Sequence, residues 1–107
     1  MSTSNVIVSE YAIDSVHMVN GVGIVLGGTV KKGQIMVNST YLMGPDKNGN
    51  FKPVTVKSIE ENRVGIDTAM KGSSICVAIK NTNKKDQITK HHGMRKGMSL
   101  LEVSKTH

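Results

Sequence analysis

Glu60 and Glu61 are adjacent carboxylates, Cys76 lies inside the apolar run from Ser74 to Ile79, and His17, His91, His92 and His107 supply imidazoles. Each of these could do chemistry, and in each case the spacing argues against it. Two carboxylates sharing acid–base work must face the same substrate, whereas consecutive residues of a strand face opposite sides. Glu60 and Glu61 therefore read as a solvated strand end. A nucleophilic cysteine needs a base beside it, and the sequence offers none. Within its apolar run Cys76 reads as a small core residue. The histidines have no metal-ligand spacing, and the adjacent pair His91-His92 diverges on either a helix or a strand. Serines are plentiful, but no G-x-S-x-G elbow is present. The seven methionines are scattered over the chain, which suits gap-filling in a core better than a groove lining.

Phosphate chemistry is equally poorly supported. The chain has no G-x-x-x-x-G-K-[ST] loop. Gly21-Val22-Gly23 is glycine-rich but is not followed by a helix, whose N-terminal N–H groups would hold a pyrophosphate. It reads as a bend entering a strand. Asn83-Lys84-Lys85-Asp86 matches the guanine-reading string N-K-x-D, yet no phosphate loop accompanies it. In a segment rich in Lys and Asn it is a coincidence. Nothing in these residues argues for an enzyme.

The elements that would carry such residues are strands. Val6-Ile7-Val8 is a short β-branched run, and Tyr11 to Val16 alternates loosely. Gly23 to Val30, Ile35 with Val37, Tyr41 to Met43, Val54 to Ile59, Ser74 to Ile79 and Ser99 to Val103 complete the series. Seven or so short strands at about ten-residue spacing predict an all-β barrel or sandwich. Ile59 falls out of phase with Val54 and Val56, which predicts a bulge between Val56 and Ile59. Asn48-Gly49 predicts a hairpin, Lys32-Gly33 and Lys71-Gly72 predict tight turns, and Asn38 can take a positive φ. Pro53 suits the start of a strand, where its missing N–H matters least. Only Asp86 to His92 hints at a helix, with Asp86 as cap and Gly93 as stop.

The chain has 107 residues, room for one domain. It is 37% hydrophobic and 21% charged, a globular balance. One cysteine excludes an internal disulfide and fits a reducing compartment. Residues 1–5 lack the basic and apolar regions of a signal peptide, and no stretch reaches the about 20 apolar residues of a spanning helix. The net charge of +6 suits an anionic partner such as RNA, and equally suits plain solubility. With aromatics at 3% (Tyr11, Tyr41 and Phe51), a base-stacking platform is out of reach.

One stretch is distinctive. Ala12 to Gly33, with Asp14, Val16 and Gly21-Val22-Gly23 leading to Gly28-Thr29-Val30 and then Lys32-Gly33, resembles the opening of domain II in translational GTPases of the EF-Tu and elongation factor one alpha type. Leu42-Met43-Gly44-Pro45-Asp46, Gly49-Asn50-Phe51, Val54-Thr55-Val56-Lys57-Ser58-Ile59, Asn62-Arg63-Val64 and Arg95-Lys96-Gly97-Met98 resemble motifs of one subfamily, the GTP-binding protein 1 and 2 group. The resemblance covers about residues 10–103. It implies an all-β, six-stranded closed antiparallel barrel over 10–103, with 1–9 as an extension or first strand and 104–107 as a tail.

The same resemblance implies a role. Domain II in this family holds the 3′ end of an aminoacyl-tRNA and docks on the small ribosomal subunit. It works beside the nucleotide domain and third domain of the same protein. GTP and Mg would belong to that nucleotide domain, and no cofactor to this one. A cytoplasmic monomer with no membrane partner is expected. Carried over residue by residue, the tRNA-end site would use Asp14, Ser15, His17 and Val19 before the first glycines and Val25 after them. Ile59, Glu60, Glu61, Asn62 and Arg63 would form the third wall, with Lys57 on the same strand. Val19, Val25 and Ile59 would make an apolar slot for a terminal adenine. Asp14 or Glu60 would meet a hydroxyl or the α-amino group, and Arg63 and Lys57 would meet phosphate. The plain structural reading is core packing for the apolar residues and exposed strand ends for the polar ones.

The chain departs from the family pattern in places. His17 stands where bacterial factors carry an aromatic ring. Gly27-Gly28 replaces a hydroxyl–Gly pair, and Asn38 replaces a turn glycine. The Lys80–Met94 loop is longer than its counterpart, a possible RNA contact or a tolerated insertion. Two other readings compete with the tRNA-end site. One is a scaffold that packs against sister domains, and the other a general basic RNA-binding barrel. The chain would be an excised domain or a stand-alone relic of such a factor.

Overall fold

The computed structural model describes residues 4–46, 48–81 and 97–106, and these form nine strands. They are β1 (Ser4–Val19), β2 (Gly23–Lys32), β3 (Gln34–Met36), β4 (Thr40–Gly44), β5 (Lys52–Glu61), β6 (Val64–Ile66), β7 (Thr68–Met70), β8 (Ser74–Asn81) and β9 (Ser99–Thr106). Six of them close a ring in the order β1-β2-β8-β5-β4-β9 and back to β1, every pairing antiparallel. This is the closed six-stranded barrel that the resemblance implies. β6 folds back on β5 as a hairpin, and β3 pairs with β7 as a separate two-stranded ribbon. The predicted helix over Asp86–His92 and most of the Lys80–Met94 loop lie outside the described residues. No helix among the described residues is long and apolar enough to cross a membrane.

Alternation fills the barrel. Tyr11, Leu26, Val30, Val54, Val56, Ile59, Val77 and Leu100 point inward and are fully buried, and Ile35 and Ala69 of the small ribbon join the same core. Where the alternation slips, the register shifts with it. Ile13 pairs with Gly28 and Ser15 with Gly27, so Asp14 is an extra residue and Asp14 and Ser15 both face outward. The same device at Val56/Ser58 puts Lys57 and Ser58 on the outer face and returns Ile59 to the core, which is the bulge predicted from phase. A third shift at Glu10/Tyr11 makes Lys31 the extra residue of β2. The runs at Val6–Val8 and Tyr11–Val16 are thus one strand, interrupted in pattern by a further shift at Ile7/Ser9 and by the Asp14 bulge.

The turns carry the expected chemistry. Asp46 Oδ1 accepts from the N–H groups of Asn48 (2.8 Å) and Asn50 (2.9 Å), and Gly49 has φ 82°. Asn38 has φ 69°. The β5–β6 hairpin turns on Asn62 (φ 53°) and Arg63 (φ 68°), a two-residue turn with both φ positive, which the sequence reading did not single out.

Tyr11 ties the core to the outer groove described below. Its hydroxyl donates to the carbonyl oxygens of Ile75 (2.9 Å) and Leu26 (3.2 Å) at full burial. Burial, reinforced by the potential charges of Cys76 and Asp14, pushes this phenol well above its ordinary value of 10.0. Burial raises Tyr41 as well, against the lowering effect of the hydrogen bond from the Met36 N–H. The unfolded chain releases these protons near pH 10, while the folded chain retains them. Stability is therefore full below about pH 10 and falls above it, with Tyr11 contributing about 1.4 kcal/mol per pH unit. Tyr11→Phe is expected to lower stability by about 1–2 kcal/mol at neutral pH and to flatten that alkaline decline. Urea unfolding at pH 7 and pH 11 checks both.

Candidate functional site

The register of four adjacent strands builds one row on the outside of the barrel. Ser15 of β1 lies opposite Gly27 of β2, Gly27 opposite Cys76 of β8, and Cys76 opposite Glu60 of β5. Directly opposed residues of an antiparallel pair share a face, so all four look outward. The row is the floor of an open groove of about 370 Å³, walled by Asp14 at one side and by Asn62 and Arg63 of the β5–β6 turn at the other. Thr29, Ser74 and Ile75 complete one end, where Thr29 Oγ1 and Ser74 Oγ lie 3.4 Å apart.

Two glycines make this groove possible. A Cβ on Gly28 would run into the carbonyl of Ala12 and come within 3.1 Å of the Tyr11 ring, because β1 passes directly against that point. A Cβ on Gly27 would meet only the Ser15 hydroxyl, at 2.5 Å. Gly28 is thus required by packing, whereas Gly27 leaves bare backbone on the floor of the groove. Interior strand glycines mark such close approaches.

The groove joins opposite charges: Asp14 and Glu60 are carboxylates, Arg63 is a guanidinium, and all three are exposed. Arg63 holds a left-handed backbone that glycine would take at lower energy. Strain of this kind gathers at binding sites. Among the described residues no group of three His, Cys, Asp or Glu side chains converges to hold a metal.

The other residues implied by the resemblance fall elsewhere. His17 and Val25 are opposed in the next outward row, with Ala78 and Ser58, about 7 Å along the strands from the groove floor. Val19 is exposed near the end of β1, opposite Gly23. Lys57 donates from Nζ to the carbonyl of Val22, which ties the β5 bulge to the β1–β2 turn. Ile59 is only 1% exposed and packs in the core, because the bulge returns it to the inner face, so its side chain cannot wall an outer slot.

Cys76 corrects the expectation of a core residue. It is exposed, since the alternation that sends Ile75 and Val77 inward sends Cys76 out onto the groove floor. Thr29, Ser74, Ile75 and Cys76 were not read as site residues. The available signal was the glycine pair in mid-strand, together with the alternation of Ser74 and Cys76 with Ile75 and Val77.

No family model matches the chain. It is 36% identical to GTP-binding protein 1 of Xenopus laevis over 93 residues, which is 87% of this chain and 13% of that protein. It is 30% identical over 71 residues to GTP-binding protein 2 of Mus musculus and of Homo sapiens, 66% of this chain and 12% of each relative. The chain thus spans about one-eighth of the length of these curated relatives. Its fold matches a solved structure of translation elongation factor SelB from Methanococcus maripaludis in the apo form. The TM-score is 0.68 at 22% identity, over 87% of this chain and 18% of that one.

Proposed function

From a chain that is a β-barrel of the domain II type of EF-Tu-like translational GTPases, we infer a non-catalytic binding module whose outer groove takes the aminoacylated 3′ end of a tRNA. The observation that carries this reading is the convergence of Asp14 and Ser15 from β1 with Glu60, Asn62 and Arg63 from the β5–β6 hairpin around a floor without side chains at Gly27. The chemistry suits an aminoacyl nucleotide. Asp14 and Glu60 accept from the α-ammonium and the ribose hydroxyl, and Arg63 meets the terminal phosphate. The bare backbone admits the ester end. The parent protein would carry GTP and Mg in a separate nucleotide domain. The barrel would dock on the small ribosomal subunit, beside its sister domains, in the cytoplasm.

The test is a binding comparison. A CCA trinucleotide bearing an amide-linked, non-hydrolysable aminoacyl group should bind more tightly than the same trinucleotide without it. Asp14→Asn should reduce that preference by about tenfold, the scale of one charge-assisted hydrogen bond, while leaving thermal stability unchanged. Equal binding of the two trinucleotides would favour a general RNA-binding barrel. No binding at low salt would favour a scaffold for sister domains.

A further inference from the structure

We propose that Lys57 is a positioning residue of this site. Its side chain straps the β1–β2 turn to β5, and so fixes an apolar landing beside the groove, rather than meeting phosphate itself. The inference rests on the groove reading above and gives Lys57 a different role from the one the resemblance implies.

The geometry is that of a strap. Lys57 is the extra residue of the β5 bulge, between Val56 opposite Ile79 and Ser58 opposite Ala78. On its other edge β8 pairs with β2, where Val25 is opposite Ala78 and Ile24 opposite Ile79. The Lys57 side chain must therefore cross β8 for Nζ to donate to the Val22 carbonyl. The register sets Ala78 on the outer face, in line with Val25 and Ser58, yet it is only 5% exposed. A lysine stem lying over Ala78, with its ammonium reaching beyond, accounts for that burial. At the far end Nζ lies close over Gly23, where a Cβ would come within 3.9 Å of it.

The turn needs such a hold. Gly21 and Gly23 flank Val22 with φ 81° and 107°, and glycines have the most conformational freedom to lose. Inside the hairpin the Val22 N–H donates to the Val19 carbonyl (3.0 Å). Among the described residues, the Lys57 bond is the one that reaches this turn from another part of the barrel. What it holds is apolar. Met18, Val19 and Val22 are each 40–49% exposed, and Val25 is half-buried one outward row from the groove floor. Next to the carboxylates and guanidinium of the groove, this end suits the apolar face of a base. Lys57 thus sets the spacing between the apolar turn and the Glu60–Arg63 wall that its own strand leads into.

The test compares the parent with Lys57→Met and Lys57→Arg. In the free proteins, backbone NMR relaxation should give residues 20–23 order parameters of about 0.85 in the parent and in Lys57→Arg, falling below about 0.6 in Lys57→Met. The amide-linked aminoacyl-CCA trinucleotide should bind Lys57→Met about three- to tenfold more weakly, and Lys57→Arg should restore the affinity. The slope of log K against log salt concentration should be the same for all three. Lys52→Met, which removes the same charge from the start of β5, should leave the turn and the affinity as in the parent. A slope shallower by about 0.7 in Lys57→Met, the value of one single-strand phosphate contact, would make Lys57 a phosphate ligand and overturn the strap. A turn equally ordered in Lys57→Met, or a loosened turn with unchanged affinity, would also overturn it. If the parent itself failed to bind the trinucleotide, the groove reading would fall and the positioning role with it.

Discussion

Gly28→Ala should destabilise the barrel by about 3 kcal/mol or more, at the upper end of what overpacking does to a well-packed interior, and lower its melting temperature by about 12 °C or more. The added methyl would collide with the Ala12 backbone carbonyl, which cannot rotate away, and would press on the ring of Tyr11. Relief would require separating β1 from β2, at the point where Ile13 and Gly28 are paired. Gly27→Ala, one residue earlier, should behave differently. Its methyl would meet a serine hydroxyl that can turn aside, so the barrel should fold with near-normal stability. The groove floor would nevertheless be filled, and aminoacyl-CCA binding should fall at least tenfold. Thermal melts together with binding isotherms separate the two effects. If both variants melted like the parent, the close approach of β1 to Gly28 would be wrong.

Arg63→Gly should give the opposite combination, a barrel as stable as the parent or more so with a crippled groove. Arg63 has φ 68° in a turn where Asn62 already has φ 53°. Asn-Gly is the preferred pair for such a two-residue hairpin. Glycine removes a left-handed penalty of about 1–2 kcal/mol and loses part of that gain to its greater freedom in the unfolded chain. Stability should therefore rise by up to about 1 kcal/mol. Loss of the guanidinium should weaken binding of the aminoacyl-CCA probe by about tenfold or more, the scale of a charge-assisted contact to phosphate. A variant that binds as well as the parent would assign Arg63 to the turn alone.

The barrel was legible because its inner face is written in period two, and because the out-of-phase pair Val56 and Ile59 coincides with a bulge; the loose alternation of Tyr11 to Val16 conceals a second bulge, at Asp14. The short strands β6 and β7 were not legible. Three residues such as Val64-Gly65-Ile66 carry no periodicity of their own, and their pairing depends on the turn at Asn62-Arg63. The site was legible in part. The residues implied by the resemblance include five that line the groove, Asp14, Ser15, Glu60, Asn62 and Arg63, and the two bulges decide the rest. The β5 bulge turns Ile59 inward and carries Lys57 to the Val22 carbonyl, while the register sets His17 and Val25 one row away. Cys76 is exposed although it lies in an apolar run, because alternation within that run exposes every second residue until Ala78.

The most direct test of the account is an NMR titration of the isotope-labelled chain at low salt with the amide-linked aminoacyl-CCA trinucleotide. Shifts should concentrate at Asp14, Ser15, Gly27, Cys76, Glu60, Asn62 and Arg63 and exceed those caused by the trinucleotide without its aminoacyl group. Shifts confined to the basic segment 82–96 and abolished by added salt, with the groove residues unmoved, would contradict the groove reading.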